Sequence, residues 1–351
     1  MGLSNDNVNE LIPRTEAIKH IIHRGSKDPN KIIYDYYVSH GDTQKAQRFL
    51  QYREVWESIR KGEKSLDFPP HVAFALSDAC NLHCAHCYRV FNKDRTLKRR
   101  MEFDEIFKLI DECKEIGVHS INLGTESEMF LYDSILEVMA HIGSKRFEDF
   151  WVCTNGTLLN DEKINVILNS GVTRLSVSID AVSNETYNKV RGKHFYKLMS
   201  NIFNFLDRRE KRGTALPVLR VTMIKSNLTI NECDDFIRFW SKIADEVDIQ
   251  PLIDIKNIDL LKYDYIQDPY CNYPWTMIYI NWNGDYKPCC SEFCKHLTIG
   301  NIKDMSIKDA WNSPYMIDLR RQFVEKKVNK YCTNCLRSLN SGESYSALST
   351  G

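Results

Sequence analysis

Residues 80–88 read Cys80-Asn-Leu-His-Cys84-Ala-His-Cys87-Tyr88, three thiols at x3 and x2 spacing that can converge on one metal centre. A structural zinc site is closed by four ligands, whereas a cubane 4Fe-4S cluster held by three cysteines keeps one iron open for a small molecule. A zinc loop and a redox thiol cluster are the competing readings of these three cysteines taken alone. The preceding residues 71–77, HVAFALS, are apolar and partly alternating, which predicts a buried strand with the cysteines on the loop at its C-terminal end. Ligand sites of α/β barrels lie at that end.

Outward from this stretch, short apolar runs alternate with helical patterns as far as residue 252, the mark of βα units around a parallel sheet. Strands are expected at 71–77, 120–123, 150–153, 174–179, 218–224 and 247–251, and helices at 103–116, 131–142, 160–169, 194–209 and 231–243. In the first of these helices Phe103, Ile106, Ile110 and Cys113 share a face, which makes Cys113 a core residue. Gly117 is its stop signal. Six units are fewer than the eight of a closed barrel, so an open side should remain for a bulky substrate. Residues 1–69 carry no chemical motif. They read as mainly helical, with Ala46, Phe49, Leu50, Val55, Trp56 and Ile59 on one face of a helix over 44–60 and at most residues 31–38 as a strand. His20, His23 and His40 are scattered here as ordinary surface or core histidines.

The 351 residues suggest about two domains, and 43% hydrophobic content is ample for a core. The 47 Lys and Arg are balanced by 47 Asp and Glu, so no global field draws in nucleic acid or an anionic membrane. No signal-type or membrane-spanning apolar run is present, which points to a cytoplasmic protein. In that setting twelve cysteines favour metal thiolates and reduced thiols over disulfides.

The C-x3-C-x2-C loop after a first barrel strand resembles the signature of the radical SAM family. The resemblance implies a partial (β/α)6 TIM-type barrel over residues 70–265. It further implies a 4Fe-4S cluster on Cys80, Cys84 and Cys87 whose open iron chelates S-adenosylmethionine, and reductive cleavage of that cofactor to a 5'-deoxyadenosyl radical that takes hydrogen from a substrate. His86 fills the aromatic slot expected along the adenine. Gly124-Thr125-Glu126-Ser127 stands where the family has Gly-Gly-Glu-Pro. Gly124 and Glu126 match and would hold the methionine amine, while Thr125 and Ser127 depart from the pattern. Thr154-Asn155-Gly156 follows the third strand as in the family, and is equally readable as a plain turn. Ser178 and Arg191 lie at the spacing of the sulfatase-maturase branch, where such residues contact the ribose and carboxylate of the cofactor; a guanidinium offers a carboxylate paired donors. Cys153 and Cys233 read as packing residues.

After about residue 265 the βα rhythm stops. Cys271, Gly284 and Cys289 reproduce the C-x9-15-G-x4-C element of a SPASM extension, and Cys332-Thr-Asn-Cys335 adds two thiols. The resemblance implies a second, auxiliary 4Fe-4S cluster on Cys271, Cys289, Cys332 and Cys335, in a shortened, twitch-like domain over residues 266–351; a zinc ribbon is the alternative. Asn283-Gly284 also signals a type I' hairpin that would fold Cys289 back toward Cys271. Cys290 occupies the position where sulfatase maturases keep an aspartate base, so a thiol hydrogen donor to a substrate radical is the candidate role. Cys294 has no assigned role. An electron donor such as flavodoxin or ferredoxin is implied. A small polar substrate (a sugar, cyclitol or glycan precursor), undergoing epimerisation or dehydrogenation, is favoured over maturation of a ribosomal peptide because residues 1–69 do not read as a three-stranded leader-binding domain. A zinc-stapled binding protein is the non-enzyme alternative.

Overall fold

Residues 21–24, 28–87, 99–252, 269–291 and 296–340 are described by a computed structural model. Strand β1 (Ile21–Arg24) and helices α1 (Pro29–Ser39) and α2 (Thr43–Arg60) precede the barrel. The barrel comprises β2 (His71–Phe74), α3 (Phe103–Glu115), β3 (Ser120–Leu123), α4 (Ile135–Ser144), β4 (Asp149–Thr154), α5 (Asp161–Asn169), β5 (Arg174–Ser178), α6 (Asn184–Val190), α7 (Phe195–Lys211), β6 (Val218–Lys225), α8 (Cys233–Trp240) and β7 (Glu246–Pro251). Then come α9 (Tyr273–Thr276), β8 (Met277–Ile280), β9 (Asp285–Lys287), β10 (Gly300–Asn301), α10 (Ile307–Trp311), α11 (Pro314–Val324) and α12 (Lys330–Asn340). Strands β2 to β7 pair in parallel, each with its sequence neighbour. Among the described residues the sheet has ten strands in the order β1-β7-β6-β5-β4-β3-β2-β8-β9-β10 and does not close on itself. This is the partial barrel expected from the six βα units.

Alternation along the strands divides two environments. Val72, Ile121, Val152, Leu175, Val221 and Val247 are fully buried in the apolar core. The other face of the strands is polar. His71, Asn122, Trp151, Arg174, Arg220, Glu246 and Met277, one from each of β2 to β8, line a lumen cavity of about 390 Å3. Its charges are paired: Arg174 Nε lies 3.0 Å from Asp149, and Arg220 meets Glu246 at 3.1 Å and also Asp248. The two guanidinium carbons lie 4.8 and 5.8 Å from the centroid of the Trp151 ring.

The N-terminal extension covers the floor of this lumen, at the opposite end of the strands from the cysteine loop. Tyr52 of α2 stacks on His119 at 5.2 Å, Trp56 meets His71 edge-on at 6.2 Å, and Asn30 Oδ1 accepts from Arg174 Nη2 at 2.6 Å. Residues 31–38 are helix, not strand: Asp28 caps α1 by accepting from the Asn30 amide at 2.8 Å, Pro29 opens it, and Lys31 pairs with Asp35 one turn on at 2.9 Å. The extension is not wholly helical either, because β1 pairs antiparallel with β7 at the sheet edge. On α2, Leu50 is 47% exposed and Tyr52 takes the core position in its place.

The C-terminal segment shares the barrel's sheet. β8 runs parallel to β2 with His71 opposite Met277 and Phe74 opposite Ile280, so the small cluster-binding domain is joined to the barrel by backbone hydrogen bonds. The 265/266 boundary lies outside the described residues, as do Tyr88 and Cys294. The β8–β9 hairpin forms where Asn283-Gly284 signals it, but not as type I', which needs positive φ at both residues. Only Gly284 has it, at +82°. The bonds Gly284 N to Asn281 O (2.9 Å) and Asn281 N to Asp285 O (3.0 Å) make a three-residue loop with a glycine bulge.

Because Asp149 is fully buried, Arg174→Met should leave an uncompensated charge and cost about 3–5 kcal/mol. Adding Asp149→Leu should recover much of that loss; urea unfolding followed by tryptophan fluorescence measures both.

Candidate cofactor site

The cysteine loop is held at three points. The Ala85 amide donates to the Val190 carbonyl at 2.7 Å, at the last residue of α6, and the Cys87 amide turns back on the Cys84 carbonyl at 3.0 Å. Asn81 Nδ2 donates to Thr157 Oγ1, and its Oδ1 accepts from Asn155 Nδ2, both at 2.8 Å. Thr154-Asn155-Gly156 is therefore a clamp on the cysteine loop and more than a turn. Glu128, fully buried, supplies the third anchor: its amide donates to Ala79 O at 2.9 Å while its carboxylate accepts from Thr154 Oγ1 and the Asn155 amide at 2.8 Å each. Burial raises the Glu128 carboxyl above its ordinary range, and those bonds pull against the rise. Sequence patterns did not single out Asn81 or Glu128, since an Asn beside a Cys and a Glu two residues after Glu126 carry no local signature.

Arg191 follows α6 and is 8% exposed. Its Nε and Nη2 donate to Asp180 at 2.8 and 2.7 Å, and its Nη1 lies 3.8 Å from Cys84 Sγ. Burial would lower the Arg191 pKa, but Asp180, with Cys84 and Tyr187 adding, raises it above its ordinary value. Burial pushes the Cys84 thiol up to about 11; Arg191 opposes the rise, and Asp180, Cys87 and Cys80 add to it. None of Cys80, Cys84 and Cys87 forms a disulfide. Ser178 Oγ accepts from Thr222 Oγ1 at 3.4 Å, and His86 is half-buried in the loop. Gly124 has φ +90°, and a Cβ there would stand 2.1 Å from the Cys153 carbonyl oxygen, so only glycine fits. Next to it Thr125 Oγ1 is buried without a hydrogen-bond partner, on the wall of the lumen cavity.

The C-terminal thiols also gather. Cys271 precedes α9, Cys289 follows β9, and Cys332 and Cys335 lie one turn apart on α12. Burial raises the Cys271 thiol, and Cys289, Cys335 and Cys332 raise it further by their charge. Asn329 Nδ2 donates to Cys332 Sγ at 3.5 Å, and Ser291 Oγ lies 3.6 Å from Cys335 Sγ. Cys290 faces the lumen, where burial raises its thiol and Cys289, Glu126 and Cys153 add to the rise. Cys153 is not in apolar surroundings, since its thiol donates to Asn122 Oδ1 at 3.5 Å on the polar lumen face. Cys113 and Cys233 are buried.

Among the described residues no group of three or more His, Cys, Asp or Glu side chains is drawn tightly enough to hold a single metal ion. The fit to a cluster therefore rests on the donor sets. They are soft thiols outside any disulfide, with hydrogen-bond donors beside three of the sulfurs, which suits thiolate-bound iron-sulfur clusters. The partnerless Thr125 hydroxyl and the glycine cradle beside it suit a polar ligand at the barrel mouth.

Two known families match the chain. The Radical SAM superfamily matches residues 74–239, and an iron-sulfur cluster-binding domain, SPASM, matches residues 271–336. The chain thus carries a radical SAM domain followed by a SPASM domain. Its cofactors are S-adenosylmethionine and two 4Fe-4S clusters. This radical SAM protein is 25% identical over 321 residues to the antilisterial bacteriocin subtilosin biosynthesis protein AlbA of Bacillus subtilis (strain 168), covering 80% of this chain and 70% of that one. It is 28% identical over 122 residues to the GTP 3',8-cyclase of Clostridium perfringens (strain SM101 / Type A), covering 34% of this chain and 37% of the cyclase. In fold it is similar to Streptococcus suis SuiB bound to S-adenosylmethionine, with TM-score 0.55, 14% identity, and coverage of 85% and 84%. SuiB bound to the precursor peptide SuiA gives 0.54, with 14% identity and coverage of 80% and 71%. No described helix is long and apolar enough to cross a membrane.

Anaerobically reconstituted protein should carry about eight irons per chain, as two 4Fe-4S clusters. Changing Cys80, Cys84 and Cys87 together to Ala should leave about four irons and abolish cleavage of S-adenosylmethionine, read as 5'-deoxyadenosine by chromatography. Persisting cleavage would overturn the placement of the site.

Proposed function

We propose that this radical SAM protein is a peptide maturase. When bound, the cluster and S-adenosylmethionine supply a 5'-deoxyadenosyl radical that abstracts hydrogen from substrate. In this proposal Cys80, Cys84 and Cys87 ligate the first cluster, and Cys271, Cys289, Cys332 and Cys335 the auxiliary one. His86, Gly124, Glu126, Ser178 and Arg191 contact the cofactor. The Gly124 cradle brings backbone close to it, and the buried Thr125 hydroxyl offers it a donor.

The observation that carries the peptide class is the extent of the match to a bacteriocin biosynthesis protein, which runs through 80% of this chain and 70% of its relative. The cyclase match covers only 34% of this chain. The balance thus moves away from the small polar substrate expected from residues 1–69 and toward a peptide. A helical N-terminal extension is no argument against one, because a seam in an unclosed barrel can admit an extended chain without help from a leader-binding domain. The polar lumen would receive the reacting residue, with Cys290 on its wall.

The test adds fractions of cell extract to reconstituted enzyme, S-adenosylmethionine and dithionite. A peptide fraction should stimulate 5'-deoxyadenosine formation, and prior digestion with protease should abolish the stimulation. Stimulation that survives digestion, or that follows GTP or a polyol fraction instead, overturns the peptide reading. If Cys290 returns hydrogen to the substrate radical, product made in deuterated water should gain one deuterium, and Cys290→Ala should divert it to an oxidised product by mass spectrometry. A wild-type product two mass units lighter than substrate would assign the second electron to the auxiliary cluster instead.

A further inference from the structure

Asp180 has φ +63°, a left-handed conformation that costs a non-glycine residue about 1–2 kcal/mol and persists only where the surroundings hold it. Two sets of bonds hold it. Its amide donates to Thr222 O at 3.3 Å and its Oδ1 accepts from the Ile224 amide at 2.7 Å, fixing the carboxylate to β6. Its Oδ2 receives both Nε and Nη2 of Arg191, at 2.8 and 2.7 Å. With those two nitrogens engaged, Nη1 is the edge of the guanidinium turned to the cysteine loop, 3.8 Å from Cys84 Sγ. Asp180 is 1% and Arg191 8% exposed, so water screens neither charge.

We propose that Asp180 is a positioning residue which, through Arg191, sets the charge and hydrogen bonding at the Cys84 sulfur and thereby the reduction potential of the cluster that Cys84 helps to hold. Cluster potentials respond to net charge and to hydrogen bonds at their sulfurs, and groups behind the ligands tune both. A cation beside the sulfur favours the more negative, reduced cluster. The carboxylate behind it moderates that pull and orients the donor edge. The inference rests on the cofactor assignment and is independent of the substrate class.

The test is a redox titration of the full-length holoenzyme followed by electron paramagnetic resonance, with the auxiliary cluster as internal reference. Asp180→Asn tolerates the left-handed backbone and removes the charge together with one of the two acceptor oxygens, since the amide nitrogen donates. It should shift the reduction equilibrium of the first cluster about tenfold toward the reduced state, about 59 mV for one electron, and leave the auxiliary cluster unmoved. Arg191→Gln should shift the first cluster in the opposite direction, and Asp180→Asn added to it should move that cluster less than Asp180→Asn does alone. Should Asp180→Asn fail to load iron, Asp180→Gly, which adopts this backbone without strain, takes its place with the same expected direction. The proposal is overturned if neither variant moves the first cluster, if both clusters move together, or if the shift persists undiminished with Arg191 gone.

Discussion

The parallel pairing of β8 with β2 is the constraint on which the rest of the molecule depends. It joins His71 to Met277 and Phe74 to Ile280, and the Ala75 amide continues the ladder to Ile280 O at 3.0 Å. β2 runs directly into the three-cysteine loop, while β8 is flanked by Cys271 through α9 and by Cys289 through β9. The three-cysteine loop and two of the four C-terminal cysteines, almost two hundred residues apart in sequence, are thus carried on adjacent strands of one sheet. All four β8 residues are buried, so the pairing is held by apolar burial as well as by hydrogen bonds. A slip of one residue would turn its inward face outward.

A second consequence concerns the barrel interior. Closed barrels of this type fill their lumen with branched apolar side chains, whereas this lumen holds ion pairs, an indole and a cavity. Such a network is stable only when each charge has its partner. The Asp149–Arg174 pair meets that condition at the floor, and Arg220 with Glu246 and Asp248 meets it at the wall. Helix α2 then acts as the stopper of this lumen, a structural role for a segment that carries no chemical motif.

At the other end of the strands, the cysteine loop owes its shape to residues outside it. Asn155 and Thr157 grip Asn81, Glu128 ties Ala79 to the end of β4, and Val190 receives Ala85. Loop thiols pinned in this way lose little freedom when a cluster binds, which is the benefit of a preorganised site. The same principle accounts for the strained backbone of Asp180, whose side chain answers to both β6 and Arg191.

The sequence by itself determined the local features. Periodicity located the six strands and most helices, because a buried strand and an amphipathic helix write different repeats into a dozen residues. Cysteine spacing marked the 80–87 loop and the Cys332–Cys335 pair, since two or three intervening residues keep thiols in reach of one centre whatever surrounds them, whereas Cys271 and Cys289 joined the second set only through the family resemblance. Missed or mistaken were β1, the helical state of residues 31–38, the glycine-bulge form of the hairpin and the helix α6, each short enough for capping or an edge partner to outweigh its pattern. Only the tertiary structure decided that β8 lies beside β2, that Asp180 partners Arg191, that Glu128 anchors the loop, and that Cys153 faces a polar lumen. Each of these depends on which of many chemically equivalent groups, distant in sequence, come within about 3 Å of one another. No local pattern encodes that choice, because it is made by the packing of the whole sheet.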